Sequence, residues 1–427
     1  MTYRDAIEFL FSLQMFGTTF GLGAAQRLAE RAGSPQKKLR FIHVAGTNGK
    51  GSTCAMLESI YRAAGWRVGL YTSPHLVSFR ERIQVDRRLI SERDVTRLVA
   101  EMQPWLAEFS SEKHPTFFEV VTVMALRHFA EQDCDLVIWE TGLGGRLDAT
   151  NIVTPLASVI TNVQLDHEQW LGDTLAKIAA EKAGIIKPGV PVITAAEAPE
   201  VLQVLRETAA RLQAPLHVVS EQPSALGVFP SSLRGAHQQA NAALAVRTVE
   251  VVRGAMPFNN SAIERGLASV PWPGRFQVLE RGRQKLVLDG AHNPDGARAL
   301  AATLRAEFPG RPLTLVLGVL ADKNCETICR TLAPLAANIL AVPVGSTRTA
   351  DPESLVKACR LAQPRGTISA APSLTEALAL TRRDDVVVIA GSLYLIGEAM
   401  ELLGLGPAAH ERALNEWTAS LTHERRG

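Results

Sequence analysis

A glycine-rich turn that carries a lysine and a hydroxyl occupies residues 46–52. It follows the apolar run Ile42-His-Val-Ala45 and precedes a stretch with helical periodicity. Glycines let backbone N–H groups point inward, a helix N-terminus adds positive potential, and a lysine neutralises β- and γ-phosphate oxygens. The pattern predicts a triphosphate-binding loop made of Gly46, Thr47, Asn48, Gly49, Lys50, Gly51 and Ser52.

The spacing of this loop departs from the common pattern G-x-x-x-x-G-K-[ST]. That pattern needs glycine at position 44, where Val44 stands, and a hydroxyl directly after Lys50, where Gly51 stands. The alternative is an ordinary glycine-rich turn with a solvated lysine. The strand predicted before the turn and the helix predicted after it favour the phosphate-binding interpretation.

A second candidate is the carboxylate of Glu140, which ends an apolar run. Parallel sheets bind ligands at the carboxyl ends of their strands. Mg²⁺ takes one or two carboxylates together with waters and phosphate oxygens. The alternative role for Glu140 is a helix cap or a loop ion pair. The glycines that follow are no dinucleotide fingerprint, because Leu147 stands where the third glycine belongs.

The elements that must position these residues alternate along the chain. Strand-length apolar runs alternate with amphipathic stretches of helix length, which predicts a largely parallel α/β sheet with crossover helices. The segment Pro271-Trp-Pro-Gly274 breaks the alternation, because prolines cannot continue a helix, and a second alternation follows. We therefore predict an α/β fold with two domains. Residues 1–270 form a P-loop ATPase domain with a mainly parallel sheet, and residues 271–427 form a smaller Rossmann-like α/β domain.

Composition narrows the class of protein further. The 427 residues include 45 Lys and Arg against 43 Asp and Glu, so the basic excess typical of nucleic-acid binders is absent. The apolar runs are far shorter than the ~20 residues that a membrane helix needs. Five cysteines without a dense pattern indicate a reducing compartment. Cys325 and Cys329 supply two metal ligands at most, so a zinc site is not expected.

The N-terminal stretch Ile7–Phe16 is apolar enough to resemble the core of a signal peptide. Asp5 and Glu8 interrupt the apolar pattern, and small residues typical of a cleavage site do not follow closely. The stretch instead predicts an amphipathic helix that packs on the protein. We expect a cytoplasmic protein that binds neither nucleic acid nor a membrane.

The segment Ala45-Gly-Thr-Asn-Gly-Lys-Gly-Ser52 resembles the loop of the Mur ligase superfamily. The Gly-Ser pair after the lysine is similar to its folate branch, which contains folylpolyglutamate synthases and bifunctional dihydrofolate synthases. Further matches extend across nearly the whole chain, and their order and number make the resemblance specific. They are Tyr71-Thr-Ser-Pro-His-Leu76, Glu140-Thr-Gly-Leu-Gly-Gly-Arg-Leu-Asp-Ala-Thr-Asn151, Thr161-Asn-Val-Gln-Leu-Asp-His167, Glu181-Lys-Ala-Gly-Ile185, His237-Gln-Gln-Ala-Asn-Ala242, Asp289-Gly-Ala-His-Asn-Pro294 and Gly391-Ser-Leu-Tyr-Leu395.

The resemblance implies an ATP- and Mg²⁺-dependent ligase that joins L-glutamate to a carboxylate through an acyl phosphate. It implies two acceptors, dihydropteroate and the γ-carboxylate of reduced folates. Residues 1–270 would bind ATP and the folate, and residues 271–427 would form the glutamate ligase domain. We expect a monomer, and the sequence leaves a requirement for K⁺ open.

The resemblance also implies two Mg²⁺ ions held by Ser73, Glu140, His167 and Lys182, with Lys50, His167 and Lys182 as catalytic residues. Lys182 would act as a carbamate, which requires a neutral amine and therefore a pKa below the usual ~10.4. The residues alone leave simpler alternatives open. These are a hydrogen-bonded structural histidine and a lysine that favours a helix C-terminus before Gly184.

Three further positions are implied for the nucleotide. Asn241 has the donor and acceptor that suit an adenine edge, and Arg275 would reach the phosphates from the second domain. Asp289 would hold a ribose or an ammonium group; its alternative is a helix-capping network with its neighbours. One departure is Asn324, which stands where the family usually has aspartate, so an anionic role there is in doubt.

Aromatic and small residues near the N-terminus and near position 116 would hold the flat pterin ring by stacking. The alternative is a monofunctional folylpolyglutamate synthase whose N-terminal loop only packs on the body. More distant alternatives are a cell-wall Mur ligase, disfavoured by the lack of an N-terminal uridine-nucleotide domain, and a P-loop switch or motor. The residues implied for folate and glutamate are Phe16, Gly17, Leu22, Thr116, Phe118, His292 and Ser392.

Overall fold

The computed structural model describes residues 1–16, 21–110, 113–219, 229–406 and 411, and two β-sheets form its framework. The strands of the first sheet are β1 Phe41–Ala45, β2 Val68–Tyr71, β3 Ile83–Val85, β4 Arg88–Leu89, β5 Leu136–Glu140, β6 Ala157–Ile160, β7 Val192–Thr194 and β8 Leu216–Val218. Their order is β4-β3-β2-β5-β1-β6-β7-β8. Pairing is parallel from β2 to β8, whereas β3 and β4 form an antiparallel edge.

Helices cover both faces of this sheet. They are α1 Tyr3–Ser12, α2 Gly23–Arg31, α3 Lys50–Ala63, α4 Glu92–Leu106, α5 Phe117–Glu131, α6 Glu168–Leu171, α7 Leu175–Ala183, α8 Pro199–Arg211, α9 Ala236–Val252 and α10 Ser261–Ala268. Successive strand residues point to opposite faces, so β1 contributes to two separate cores. Phe41 packs with Trp139 beneath α1, α2, α4 and α5, and Ile42 and Val44 pack beneath α3, α9 and α10.

The second sheet lies beyond the segment Pro271–Gly274. Its strands are β9 Gln277–Arg281, β10 Gln284–Asp289, β11 Leu313–Leu317, β12 Ala336–Ala341, β13 Thr367–Ala370 and β14 Val386–Ala390, in the order β13-β12-β11-β14-β10-β9. Only β9 pairs antiparallel among these strands. The helices are α11 Pro294–Glu307, α12 Cys325–Leu332, α13 Pro352–Ala362, α14 Leu374–Leu380 and α15 Leu393–Leu402.

The predicted α/β class with two mainly parallel sheets is confirmed. The predicted N-terminal helix begins earlier than expected, at Tyr3, and gives way to a 3₁₀ turn over Leu13–Phe16. Asp5, which interrupts the apolar pattern, forms a capping box with Thr2 and thereby fixes the start of the helix. The antiparallel edge strands and α10 were not predicted. Within the described residues, no helix is long and apolar enough to cross a membrane.

The centre of the first sheet brings three candidate segments together. Strand β1 lies between β5 and β6. The chain continues from β1 to β2, toward one edge of the sheet, and from β6 to β7, toward the opposite edge. Residues that follow the carboxyl ends of these strands therefore meet at one edge, where open α/β sheets bind ligands. They are the glycine-rich turn after β1, Glu140 at the end of β5, and residues 161–167 after β6.

Candidate active site

The predicted triphosphate-binding loop, residues 46–52, is called the phosphate loop below. It follows β1, includes the first residues of α3, and is hydrogen-bonded to residues after β6. Asn48 donates its backbone N–H to Asn162 Oδ1 at 2.8 Å, and Thr161 Oγ1 donates to the Asn48 carbonyl at 2.6 Å. Only glycine fits at position 46, since a Cβ there would lie 1.8 Å from Thr161 Oγ1. The Lys50 ammonium folds over the loop and donates to the carbonyl oxygens of Gly46 (3.0 Å) and Thr47 (3.2 Å). The loop thus presents its backbone and one cation to the space in front of α3.

That space is a cavity of about 810 Å³ between the two sheets, and both domains line it. Most of the residues singled out in the sequence face it. They are Gly46, Thr47, Asn48, Gly49, Lys50, Gly51, Ser52, Ser73, Thr116, Phe118, Glu140, His167, Lys182, Asn241, Arg275, Asp289, His292 and Ser392. Leu22 does not line the cavity, although its neighbour Gly21 does. Gly17 lies outside the described residues, and Phe16 ends the 3₁₀ turn.

The donor set around Glu140 fits a Mg²⁺ ion. Its carboxylate is buried and accepts a hydrogen bond from the Ser73 backbone N–H at 2.9 Å. Burial raises the pKa of Glu140 to about 7, against the opposing effect of the Lys50 ammonium. Mg²⁺ takes one or two carboxylates and completes its shell with waters and phosphate oxygens, and Glu140 supplies one such carboxylate beside the loop.

Lys182 and His167 meet the loop from the side of α7 and α6. The buried Lys182 ammonium donates to the Gly46 carbonyl at 3.0 Å. Burial, reinforced by the nearby Lys50, lowers the pKa of Lys182 to about 7. His167 immediately precedes α6, with its backbone in the left-handed conformation. Burial, together with the nearby Lys323, lowers the pKa of His167 to about 4. A neutral imidazole and a partly neutral amine therefore stand beside the phosphate loop at neutral pH.

A polar network that the sequence did not reveal joins the two domains at this point. Lys323, which precedes α12, forms a 2.8 Å ion pair with Asp166, which precedes His167. Asn293 donates from Nδ2 to Asp166 Oδ2 (3.2 Å) and to Asn48 Oδ1 (3.0 Å). Asn293 also caps α11 through its Oδ1. Its position directly before Pro294 signals the cap, but no local signal reveals that its amide reaches the other domain.

Asp289 and Arg275 form the floor of the cavity in the second domain. The two carboxylate oxygens of Asp289 accept from the backbone N–H groups of Phe276 (2.8 Å) and Ala291 (2.9 Å). Burial raises the pKa of Asp289 and lowers that of Arg275. Asp289 thus holds the turn after β10, and His292 is fixed nearby by a 2.7 Å contact between Nδ1 and the Gly290 carbonyl.

Asn241 and Ser52 are joined through α9. Asn241 donates to Gln238 Oε1 at 3.0 Å, and Gln238 Nε2 donates to Ser52 Oγ at 3.3 Å.

Ser392 caps α15 by accepting from the Tyr394 backbone N–H. Asn324 caps α12 in the same way. Because asparagine and aspartate cap helices about equally well, the departure at position 324 preserves the local fold.

Phe117 and Phe118 line one wall of the cavity, which we call the Phe118 wall. The ring of Phe118 lies 6.1 Å from that of Tyr71, and Gly142 gives it room, because a Cβ there would lie 2.5 Å from Phe118 Cζ. Thr116 and Glu119 form the capping box that starts α5 at this wall. His75, part of the motif Tyr71–Leu76, is buried outside the cavity lining and accepts a hydrogen bond from Arg82 Nε at 2.9 Å.

Family models match both domains of the chain. The Mur ligase middle domain matches residues 44–249, and the Mur ligase, glutamate ligase domain matches residues 274–393. With these matches, a phosphate loop that faces a second α/β domain across a cleft defines an ATP-dependent ligase of the Mur type.

Full-length relatives place the chain within that class. A dihydrofolate synthase/folylpolyglutamate synthase from Bacillus subtilis is 36% identical over 426 residues, covering 94% of this chain and 99% of the relative. A folylpolyglutamate synthase from Thermotoga maritima superposes with a TM-score of 0.84 at 35% identity, covering 96% and 98%. Escherichia coli FolC in complex with DHPP and ADP gives 0.83 at 30% identity, covering 95% and 98%. The chain belongs to the folate branch of the Mur ligase family, as the resemblance indicated.

Proposed function

We propose that this enzyme uses ATP to join L-glutamate to two acceptors, the benzoate carboxylate of dihydropteroate and the γ-carboxylate of a reduced folate. The observation that carries the proposal is that one cavity is lined both by the phosphate loop and by Phe118. The relatives named for both activities, and the FolC structure with DHPP and ADP, support it.

A carboxylate at neutral pH is a poor electrophile and must first be activated. The γ-phosphoryl group of ATP, held on the loop at Lys50, would be transferred to it to give an acyl phosphate and ADP. The amine of glutamate would then attack the acyl carbon, and phosphate would leave. Residues of the second domain, including Arg275 and His292, line the same cavity. Closure of this domain over the loop would exclude the water that hydrolyses the acyl phosphate.

Mg²⁺ would neutralise charge on the phosphate oxygens when bound, with Glu140 and Ser73 as its protein ligands. We further propose that Lys182 reacts with CO₂ through its neutral amine to give a carbamate, which with His167 would hold a second ion. Burial of Lys182 and its nearness to Lys50 support the neutral amine that this chemistry needs.

One acyl-phosphate centre serves both acceptors if the pterin ring has two places to lie. The cavity volume of about 810 Å³, with Glu140 and the aromatic ring of Phe118 both in its lining, supports such overlapping positions. A monofunctional folylpolyglutamate synthase would need only the binding mode for the longer acceptor. The two readings therefore differ in the use of dihydropteroate.

Paired assays with labelled glutamate, MgATP and one acceptor each test the proposal. We expect incorporation with dihydropteroate and with a reduced folate that carries one glutamate, with one ADP released per amide and the product identified by mass. Incorporation with the reduced folate alone would leave the monofunctional enzyme. ATP hydrolysis without amide formation in either assay would contradict the ligase assignment.

A further inference from the structure

The side chain of Trp272 lies directly on the phosphate loop. A Cβ added to Gly51 would lie only 2.7 Å from Cζ2 of the Trp272 ring. Gly51 belongs to α3, where alanine is intrinsically better than glycine, so helix conformation does not demand glycine there. Contact with Trp272 therefore explains why glycine replaces the usual hydroxyl residue after Lys50.

A second contact fixes the same ring to the same helix. The Arg87 guanidinium lies 5.5 Å from the Trp272 ring centroid and donates to the Pro271 carbonyl. Arg87 Nε also lies 3.8 Å from an oxygen of Glu58, a fully buried residue of α3 that pairs with Arg62 at 2.7 Å. The interdomain segment, Pro271–Gly274, thus contacts α3 directly at Gly51 and, through Arg87, indirectly at Glu58.

The opposite end of this short segment enters the nucleotide side of the cavity. The Gly290 N–H donates to the Gly274 carbonyl at 2.9 Å, which joins the segment to the turn after β10. Arg275 follows immediately and packs on Gly290, where a Cβ would lie 2.6 Å from its guanidinium. Only two residues separate Trp272 from Arg275, and the prolines on both sides of Trp272 limit backbone freedom.

We propose that Trp272 is a positioning residue: its contact with Gly51 fixes the interdomain segment relative to the phosphate loop. Nucleotide binding at the loop and the position of Arg275 therefore depend on each other. Packed side chains have few alternative arrangements, so displacement of Gly51 must displace the ring and the segment with it. The inference rests on the proposed ATP site, and it assigns Trp272 no contact with substrate.

Calorimetric titration of the full chain with ADP and Mg²⁺ tests this role. We expect Trp272→Ala to weaken ADP binding about tenfold, within the range of couplings between contacting residues. Trp272→Phe should restore affinity, because it keeps a ring between Gly51 and Arg87. Trp66→Ala is the matched control, since Trp66 also lies beneath a guanidinium, that of Arg40, but donates to the Pro257 carbonyl instead of packing on Gly51.

A double-mutant cycle makes the test specific for the contact. Gly51→Ala should weaken ADP binding in the native background, because the new methyl group meets the indole. In the Trp272→Ala background the same change should have little effect, since the space is vacated. Steady-state kinetics should show the single variants raising KM for ATP more than they lower kcat.

Two results would overturn the inference: additive effects of the two changes, or unchanged ADP affinity in Trp272→Ala. If Trp272→Ala fails to fold, Trp272→Leu replaces it in the cycle. Failure of the native protein to bind ADP would instead contradict the proposed function, so the two failures are distinguishable.

Discussion

Lys323 of the second domain and Asp166 of the first form an ion pair of 2.8 Å across the cleft, with side chains only 10% and 11% exposed. Burial alone would raise the pKa of Asp166, but Lys323, with His167 and His292 nearby, holds it well below its usual range. Both residues line the cavity beside the phosphate loop. Their ion pair is a charged junction between the two domains at the candidate site.

Breaking this junction should cost stability. We expect Asp166→Asn to lower the free energy of unfolding by up to about 3 kcal/mol, because an unpaired Lys323 charge remains partly buried. The pKa of Asp166 is depressed, so its contribution is present above the unfolded pKa and disappears as acid protonates it. The difference between the variant and the native protein should therefore vanish at low pH.

Urea denaturation at neutral and acidic pH measures this difference. Asp173→Asn is the control, since Asp173 forms a fully solvated ion pair with Lys177 and such pairs contribute little. Equal stability of Asp166→Asn and the native protein at neutral pH would contradict the junction.

The phosphate loop predicts a selective loss of activity in Lys50→Ala. Removal of a cation that stabilises the transferring phosphoryl group should lower kcat/KM at least about a hundredfold. The fold should persist, because within the described part of the chain the Lys50 ammonium donates its hydrogen bonds to carbonyls of its own loop. Lys177→Ala, which removes an exposed lysine, should behave as the native enzyme. Near-native turnover in Lys50→Ala would refute the phosphate-binding role.

The lowered pKa of Lys182 predicts pH-dependent carbamylation. Its amine is largely neutral above about pH 7, so uptake of labelled bicarbonate should rise across this pH and fall below it. Native mass spectrometry should show one added CO₂ that disappears in Lys182→Met. Lys187→Met is the control. Lys187 is a part-buried lysine, but it donates to the Asn151 carbonyl instead of contacting the phosphate loop. An active enzyme with unmodified Lys182 would exclude the carbamate.

Replacement of the buried Glu140 carboxylate should raise the stability of the protein and lower its activity. Its pKa is raised to about 7 in the folded protein, so folding becomes less favourable as pH rises from about 4.5 to 7. Glu140→Gln should therefore stabilise the metal-free protein by about 3 kcal/mol above pH 7 and by little below pH 4.5. The same variant should lose ligase activity. Thermal unfolding at both pH values measures the effect, and an equal change at the two would contradict the buried-carboxylate interpretation.

The aromatic wall predicts selectivity between acceptors. Phe118→Ala should lower glutamate incorporation into dihydropteroate more than into a reduced folate, because the wall would hold the ring of the shorter acceptor. Phe109→Ala, which alters a ring packed beneath Arg27 away from the cavity, is the control. An equal loss with both acceptors would argue against two overlapping pterin positions.

Many of the local elements, and the order of the chemically active residues along them, follow from the amino-acid sequence alone. The apolar run Ile42–Ala45 lies within β1, because strands covered on both faces are continuously hydrophobic. The loop at 46–52 is recognisable because its glycines and lysine are adjacent in the chain. Prolines at 271 and 273 marked the break between the sheets, since backbone restriction is a local property.

Contacts between residues that are distant in the chain could not be predicted in this way. The antiparallel strands β3 and β4 are too short for a periodic signal, and their place at the edge depends on pairing with β2. Asp166 and Lys323 are 157 positions apart. Gly51 and Trp272 contact each other although they belong to different segments, and neither residue type announces the other. Such contacts depend on how the domains pack, and that packing sums many side chains that no local pattern encodes.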